Sequence, residues 1–171
     1  NQSLWAGNNP LSVGSLHLPD GRPLIERLPA HLKAALAQAD EIGQSDLFQK
    51  EAWGFIHGDP AAALRLYVRK WMNFWWFSPT TGLYYPAAYT AAYRFGYGAV
   101  AGLAILGLWA VRRRLFSPSF ALLTLFPLFI AFFQCFYYVE GRHRWTVEPI
   151  LLLLAAQGAL SLKRKIQCAS S

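Results

Sequence analysis

Acidic residues almost vanish from the second half of this 171-residue chain. Before residue 94, seven Lys/Arg are matched by seven Asp/Glu. From Arg94 onward nine Lys/Arg meet only Glu140 and Glu148, so nine minus two is the whole net charge of +7. Six of those nine form the triplets Arg112-Arg113-Arg114 and Lys163-Arg164-Lys165, each immediately behind an apolar run. Basic clusters at the ends of apolar runs are the positive-inside pattern, which excludes nucleic acid as the partner of the positive charge. Cysteine is scarce too. Cys135 lies inside an apolar run and Cys168 in the tail, so no bridge is expected, and no metal-ligand spacing or cofactor motif occurs. Initiator Met, signal peptide, internal repeats and low-complexity tracts are all missing. A start at Asn1, in a polar stretch, is what a fragment or processed product of a longer chain would show.

What the chain does have is hydrophobic residues, 54% of the total, with 16% aromatic. Residues 93–111, 119–139 and 145–162 are almost free of charge, with Arg94 near one end of the first and Glu148 in the third. Each approaches the roughly 20 residues that span about 30 Å of hydrocarbon. The expected fold is an all-α integral membrane protein. Residues 1–92 form an extracytoplasmic helical segment ending in an interfacial amphipathic helix; residues 93–171 form three transmembrane helices and a cytoplasmic basic tail. With both triplets inside, residues 1–92 and the loop Glu140–Arg144 fall outside. Ionisable groups are missing from the middle of the second and third spans, which counts against a transporter.

In the first segment, "WAGNNPLSVGSLHLPDGRP" is dense in Gly, Asn, Pro and Ser and reads as a loop. Pro29–Ile42 spaces Leu32, Ala35, Leu36 and Ala39 on one helical face. Asp46, with Gln49 three residues on, predicts the cap of a second helix bearing Leu47, Phe48, Ala52, Phe55 and Ile56 and stopped by Gly58. Asp59-Pro60 starts a third. Its apolar stripe is Leu64, Tyr67, Val68, Trp71 and Trp75, with Arg65, Arg69 and Lys70 off the stripe. A Trp-rich, basic, amphipathic helix suits the membrane interface, although the same stripe would also serve a core helix. In the first span Gly96, Gly98, Gly102 and Gly107 suit close packing against further spans of a parent chain. Pro127 predicts a kink and Gln134 an inter-helix hydrogen bond.

"YVEGRHRWTVEPILLLL" sets Arg142, His143 and Arg144 against a greasy helix starting near Pro149. Positive flanks on the outer side work against orientation, so two readings remain: snorkelling or an anion site. Guanidinium forks suit phosphate. Two residues apart in an extended turn, Arg142 and Arg144 would point the same way, toward a helix N-terminus that favours negative charge. His143 would add a third donor. Glu148 is a good first-turn residue and would pair with Arg144.

"EGRHRWTVEPILLLLAAQGAL" resembles the R-x-R-x-x-x-x-P-(apolar) block near the C-terminal end of bacterial GT-C membrane glycosyltransferases, relatives of the dolichyl-phosphate-mannose–protein mannosyltransferases. "WAGNNPLSVGSLHLP" resembles their Gly-Asn-Asn loop. "DLFQKEAWGFIHGDPAAALRLYVRKWMNFWW" is similar to the segment that approaches the membrane. The blocks occur in the family's order over most of residues 4–160. The resemblance implies an inverting transfer of a sugar from a polyprenyl-phosphate donor to a glycan, lipid or protein acceptor, outside the bacterial inner membrane and without a nucleotide sugar. By position, Arg142 and Arg144 would contact the donor phosphate, and Gly7, Asn8 and Asn9 would line a donor or acceptor cavity. In the "RHRWTVEP" block Trp145-Thr146 depart from the usual apolar or Pro residue. The family's acidic general base, in a first extracytoplasmic loop, has no counterpart. The expected role is therefore the donor-binding C-terminal part of a longer enzyme, inactive alone. A non-catalytic membrane protein that binds anionic lipid or scaffolds a complex is the alternative.

Overall fold

The computed structural model describes residues 1–78, 80–81, 85–114 and 117–169. Among these every regular element is a helix, and one isolated bridge joins His17 to Pro23. The chain divides into two compact units, Asn1–Leu83 with Ala131–His143, and Tyr84–Ile130 with Arg144–Ser171. The first unit thus recruits a segment from beyond the linear division at residue 92.

The first unit contains α1 (Gln2–Gly7), the 3-10 turn η1 (Leu24–Arg27), α2 (Ala30–Gln38), α3 (Glu41–Gly58) and α4 (Pro60–Trp75). Its core gathers Trp5, Leu18, Leu24, Leu32, Phe48 and Ala52. The ring centroids of Trp5 and Phe48 lie 5.4 Å apart. Trp5, Ala6 and Gly7 belong to the stretch expected as loop. They form a short helix instead, because burial of Trp5 and Ala6 supplies what six residues cannot gain alone.

The helix expected to be capped by Asp46 is capped six residues earlier. Asp40 is its cap, accepting from the Gly43 amide at 2.9 Å, and Asp46 lies within α3. A cap needs an extended residue at the break. The chain is extended at Ala39 and Asp40, where α2 ends. Further on, α3 stops at Gly58, and Asp59 caps α4 by accepting from Ala62 at 2.9 Å, with Pro60 opening the helix.

Along α4 the buried positions are Leu66, Lys70 and Phe74, at i, i+4, i+8. Of the expected stripe, Leu64 and Val68 are exposed, whereas Tyr67, Trp71 and Trp75 are half-buried. Of the three basic residues expected off that stripe, Arg65 and Arg69 are exposed. Lys70 is fully buried.

The second unit contains α5 (Ala87–Val111), a 3-10 turn η2 (Arg112–Arg114) and α7 (Glu148–Ala169). Helix α6 (Pro118–Gln134) runs out of it into the first unit, and the 3-10 turn η3 (Gly141–Thr146) precedes α7. Leu115 and Phe116, in the turn expected after the first span, lie outside the described residues. α5 packs on α7 around Ala104, Leu154 and Ala155. At Gly107 an added Cβ would land on the Leu154 carbonyl, and at Gly158 on the Leu103 carbonyl. Small residues thus do bring backbones together, but Gly107 finds its neighbour within this chain, while Gly96 and Gly102 face open space.

Only α5, among the described residues, is long and apolar enough to cross a membrane; Phe120–Gln134 is a shorter apolar helix. Pro127 sits inside α6. Gln134, however, donates to the Tyr138 carbonyl at 2.9 Å, closing its own helix end instead of reaching another helix.

Candidate anion sites

The RHR segment folds as the 3-10 turn η3 instead of an extended turn. His143 N donates to the Glu140 carbonyl at 3.0 Å and Val147 N to the Arg144 carbonyl at 2.8 Å. With three residues per turn, side chains two apart point about 120° apart. Arg142 and Arg144 therefore do not share a face, and their surroundings differ accordingly.

Arg142 is exposed and forms an ion pair with Glu140 Oε2 at 3.1 Å, with a long contact to the Tyr138 hydroxyl at 3.4 Å. Glu140 Oε1 also lies 3.6 Å from His17 Nδ1. His143 Nδ1 accepts from the Glu140 amide at 3.1 Å, which fixes that nitrogen as an unprotonated acceptor. Burial holds the His143 pKa below its ordinary value, with Arg142 acting in the same direction and Glu140 against it. His143 is thus a neutral local hydrogen-bonder on this side of the ring.

Arg144 lies in the second unit and is completely buried, with its guanidinium 4.4 Å from the centroid of the Tyr97 ring. A cation held against an aromatic face gains up to about 2 kcal/mol when desolvated. The Tyr97 ring also lines a largely apolar groove of about 420 Å³ between α5 and α7, together with Tyr93, Gly96, Val100, Glu148 and Leu151, among others; Arg144 itself is not part of that lining. Gly96, having no side chain, leaves that groove open. Glu148 occupies the first turn of α7, where the helix dipole favours a carboxylate. Tyr97 thus touches both the buried Arg144 and the apolar trough, whose charged lining residue is Glu148 at the start of α7.

The Gly7-Asn8-Asn9 loop belongs to the first unit and is built around Lys70. Its Nζ donates to the Gly7 carbonyl at 2.9 Å and to Asn8 Oδ1 at 3.1 Å. Asn8 Nδ2 donates in turn to the Leu4 carbonyl at 2.8 Å and the Phe136 carbonyl at 2.7 Å. Asn9 Nδ2 donates to Trp5 O at 2.7 Å, and its Oδ1 accepts from Leu11 N at 2.9 Å. Gly7 is pressed so close to the Tyr137 backbone that a Cβ would strike its carbonyl. These side-chain groups are committed to holding the loop. Burial pushes the Lys70 pKa down to about 8. Lys70 was missed because helical periodicity assigns a lysine to the wet side; the signal was its i±4 placement between Leu66 and Phe74.

No family model, curated protein or solved structure matches the chain.

Proposed function

We propose that this chain is the donor-binding C-terminal part of a membrane glycosyltransferase of the GT-C type, with Arg144 holding the phosphate of a polyprenyl-linked sugar and the α5–α7 groove receiving its first isoprene units. The observation that carries this reading is the fully buried Arg144 over Tyr97, a ring that also lines the apolar trough at the start of α7. Such a site serves a lipid phosphate better than a soluble one. Arginine supplies the planar donor fork, α7 its N-terminal dipole, and Val100 and Leu151 an apolar wall. Arg142, exposed and already paired with Glu140, has the lesser role of attracting the anion.

The membrane setting belongs to the same proposal. Phe95, Ile105 and Trp109 on α5, and Leu122, Leu125 and Phe129 on α6, are exposed to between 57% and 82%. Large apolar side chains turned outward on helices this apolar suit lipid better than water. In this arrangement residues 1–92 lie on the extracytoplasmic side of a bacterial inner membrane, three spans follow, and a first extracytoplasmic loop of a longer chain supplies the general base. The acceptor is a glycan, lipid or protein. A second reading, a non-catalytic protein bound to anionic lipid, draws on α4, whose exposed Leu64, Val68 and Met72 adjoin Arg65 and Arg69.

Binding of a polyprenyl phosphate to the full chain in phosphatidylcholine nanodiscs tests the proposal. A charge-assisted hydrogen bond contributes about 1.5–3 kcal/mol, so Arg144→Gln should weaken binding at least about tenfold. Arg142→Gln should have a smaller effect. Saturable binding unchanged in Arg144→Gln, with helix content preserved, removes the donor-site reading and leaves the lipid-anchored one.

A further inference from the structure

We infer that the first unit carries a second anion site: a cavity beneath Arg65 and Arg69 that takes a phosphate group. The cavity, about 420 Å³, lies between the loop after α1 and the corner where α3 meets α4. Asn9 and Ser12 border it from the loop, Phe55 and Asp59 from α3 and its end, and Arg65 and Arg69 from α4. Its size falls within the range of small-molecule sites.

The chemistry of the lining is decided by what each polar group already does. Asn9 is saturated by Trp5 and Leu11. The Ser12 hydroxyl donates to Ala6 O at 2.6 Å and accepts from Gly14 N at 3.0 Å. Asp59 Oδ1 caps α4. Arg65 and Arg69 remain: neither forms a hydrogen bond or ion pair with another described residue. They sit at i and i+4, where like charges repel and destabilise a helix. Position 61, one turn before Arg65, is Ala, and position 73, one turn after Arg69, is Asn, so their own helix supplies no acid at those places. A bound anion turns this repulsion into two charge-assisted contacts from one face, in the bidentate manner that favours phosphate. Asp59 also lines the cavity, and its carboxylate oxygen not used by the cap can accept from a ligand hydroxyl, which fits a phosphorylated polyol better than bare phosphate. The site is independent of Arg144, which belongs to the other unit, and it does not depend on the donor-site proposal.

The phosphate has two possible sources, a soluble phosphomonoester or a lipid headgroup. The full chain in phosphatidylcholine nanodiscs would be titrated calorimetrically with glycerol 3-phosphate. In parallel, nanodiscs containing phosphatidic acid would be assayed by native mass spectrometry for retained lipid. The expected result is saturable binding in at least one arm, weakened at least about tenfold by Arg65→Gln/Arg69→Gln. Lys33→Gln/Lys50→Gln, exposed cations outside the cavity lining, should leave it unchanged, and Arg65→Lys/Arg69→Lys should retain part of it. Both altered side chains are exposed, and circular dichroism checks that helix content is kept. Binding in neither arm, or equal binding by wild type and the Gln variant, overturns the inference.

Discussion

Replacing Lys70 by Met should make the stability of this protein respond to alkali differently from wild type. The Lys70 side chain is wholly buried, with Nζ between the Gly7 carbonyl and Asn8 Oδ1. A neutral amine has two N–H donors, which those two acceptors use fully, whereas an ammonium carries a third. The site therefore prefers the neutral form, and the pKa falls from 10.5 to about 8. A folded-state pKa below the unfolded one means that the unfolded chain binds more protons between pH 8 and 10.5, so stability rises with pH through that window. Below pH 8 the full cost of burying the charge is present; above 10.5 it is gone. At about 1.36 kcal/mol per unit, the difference is on the order of 3 kcal/mol. Lys70→Met has no such titration but leaves two buried acceptors without a donor, costing about 1–3 kcal/mol each. The variant should thus be closest to wild type near pH 7 and fall progressively behind toward pH 10.5. Chemical denaturation of both proteins in one mild detergent, at several pH values, measures the gap, and tyrosine ionisation cancels in the difference. Parallel curves from pH 7 to 10.5 would refute the reasoning.

Other outcomes follow from single contacts. Gly107→Ala should destabilise the α5–α7 pair by about 1–3 kcal/mol through overpacking, since its Cβ lands on the Leu154 carbonyl; a thermal melt in detergent reads this, and an unchanged midpoint contradicts it. Gly14→Ala combines φ +89° with contact on the Lys70 side chain, so it should cost about 1–2 kcal/mol or more in the same assay. Because burial lowers the His143 pKa, the unfolded chain takes up that proton first on acidification, so stability should fall as pH drops below about 6.5. His143→Gln should flatten that acid limb, and an identical limb counts against the neutral imidazole.

Much of the helix layout was legible because its signals are local. Gly58 followed by Asp59-Pro60 marks one helix end and the next start, and Glu148-Pro149 opens α7. Legibility failed where tertiary packing or backbone pitch decided. Asp40 and Asp46 are both plausible caps, and only the break after α2 chooses between them. α1 is too short to announce itself without Phe48 against Trp5. Spacing alone could not tell whether Arg142 and Arg144 lay in an extended turn or a 3-10 turn, and that choice separates their side chains. Lys70 hid for a different reason: burying an amine requires two carbonyl-type acceptors brought from some sixty residues away.

The contact at Gly107 and Gly158 has a mechanical side. Where two helix backbones touch without side chains between them, their separation is fixed and only their angle is left to vary. Tyr93, at the far end of the α5–α7 groove, lies fourteen residues from Gly107, a lever arm of about 21 Å at 1.5 Å per residue. A rotation of about 5° about that pivot opens the mouth by roughly 2 Å over such an arm. The mouth of the trough can therefore widen or narrow while the pivot holds its place.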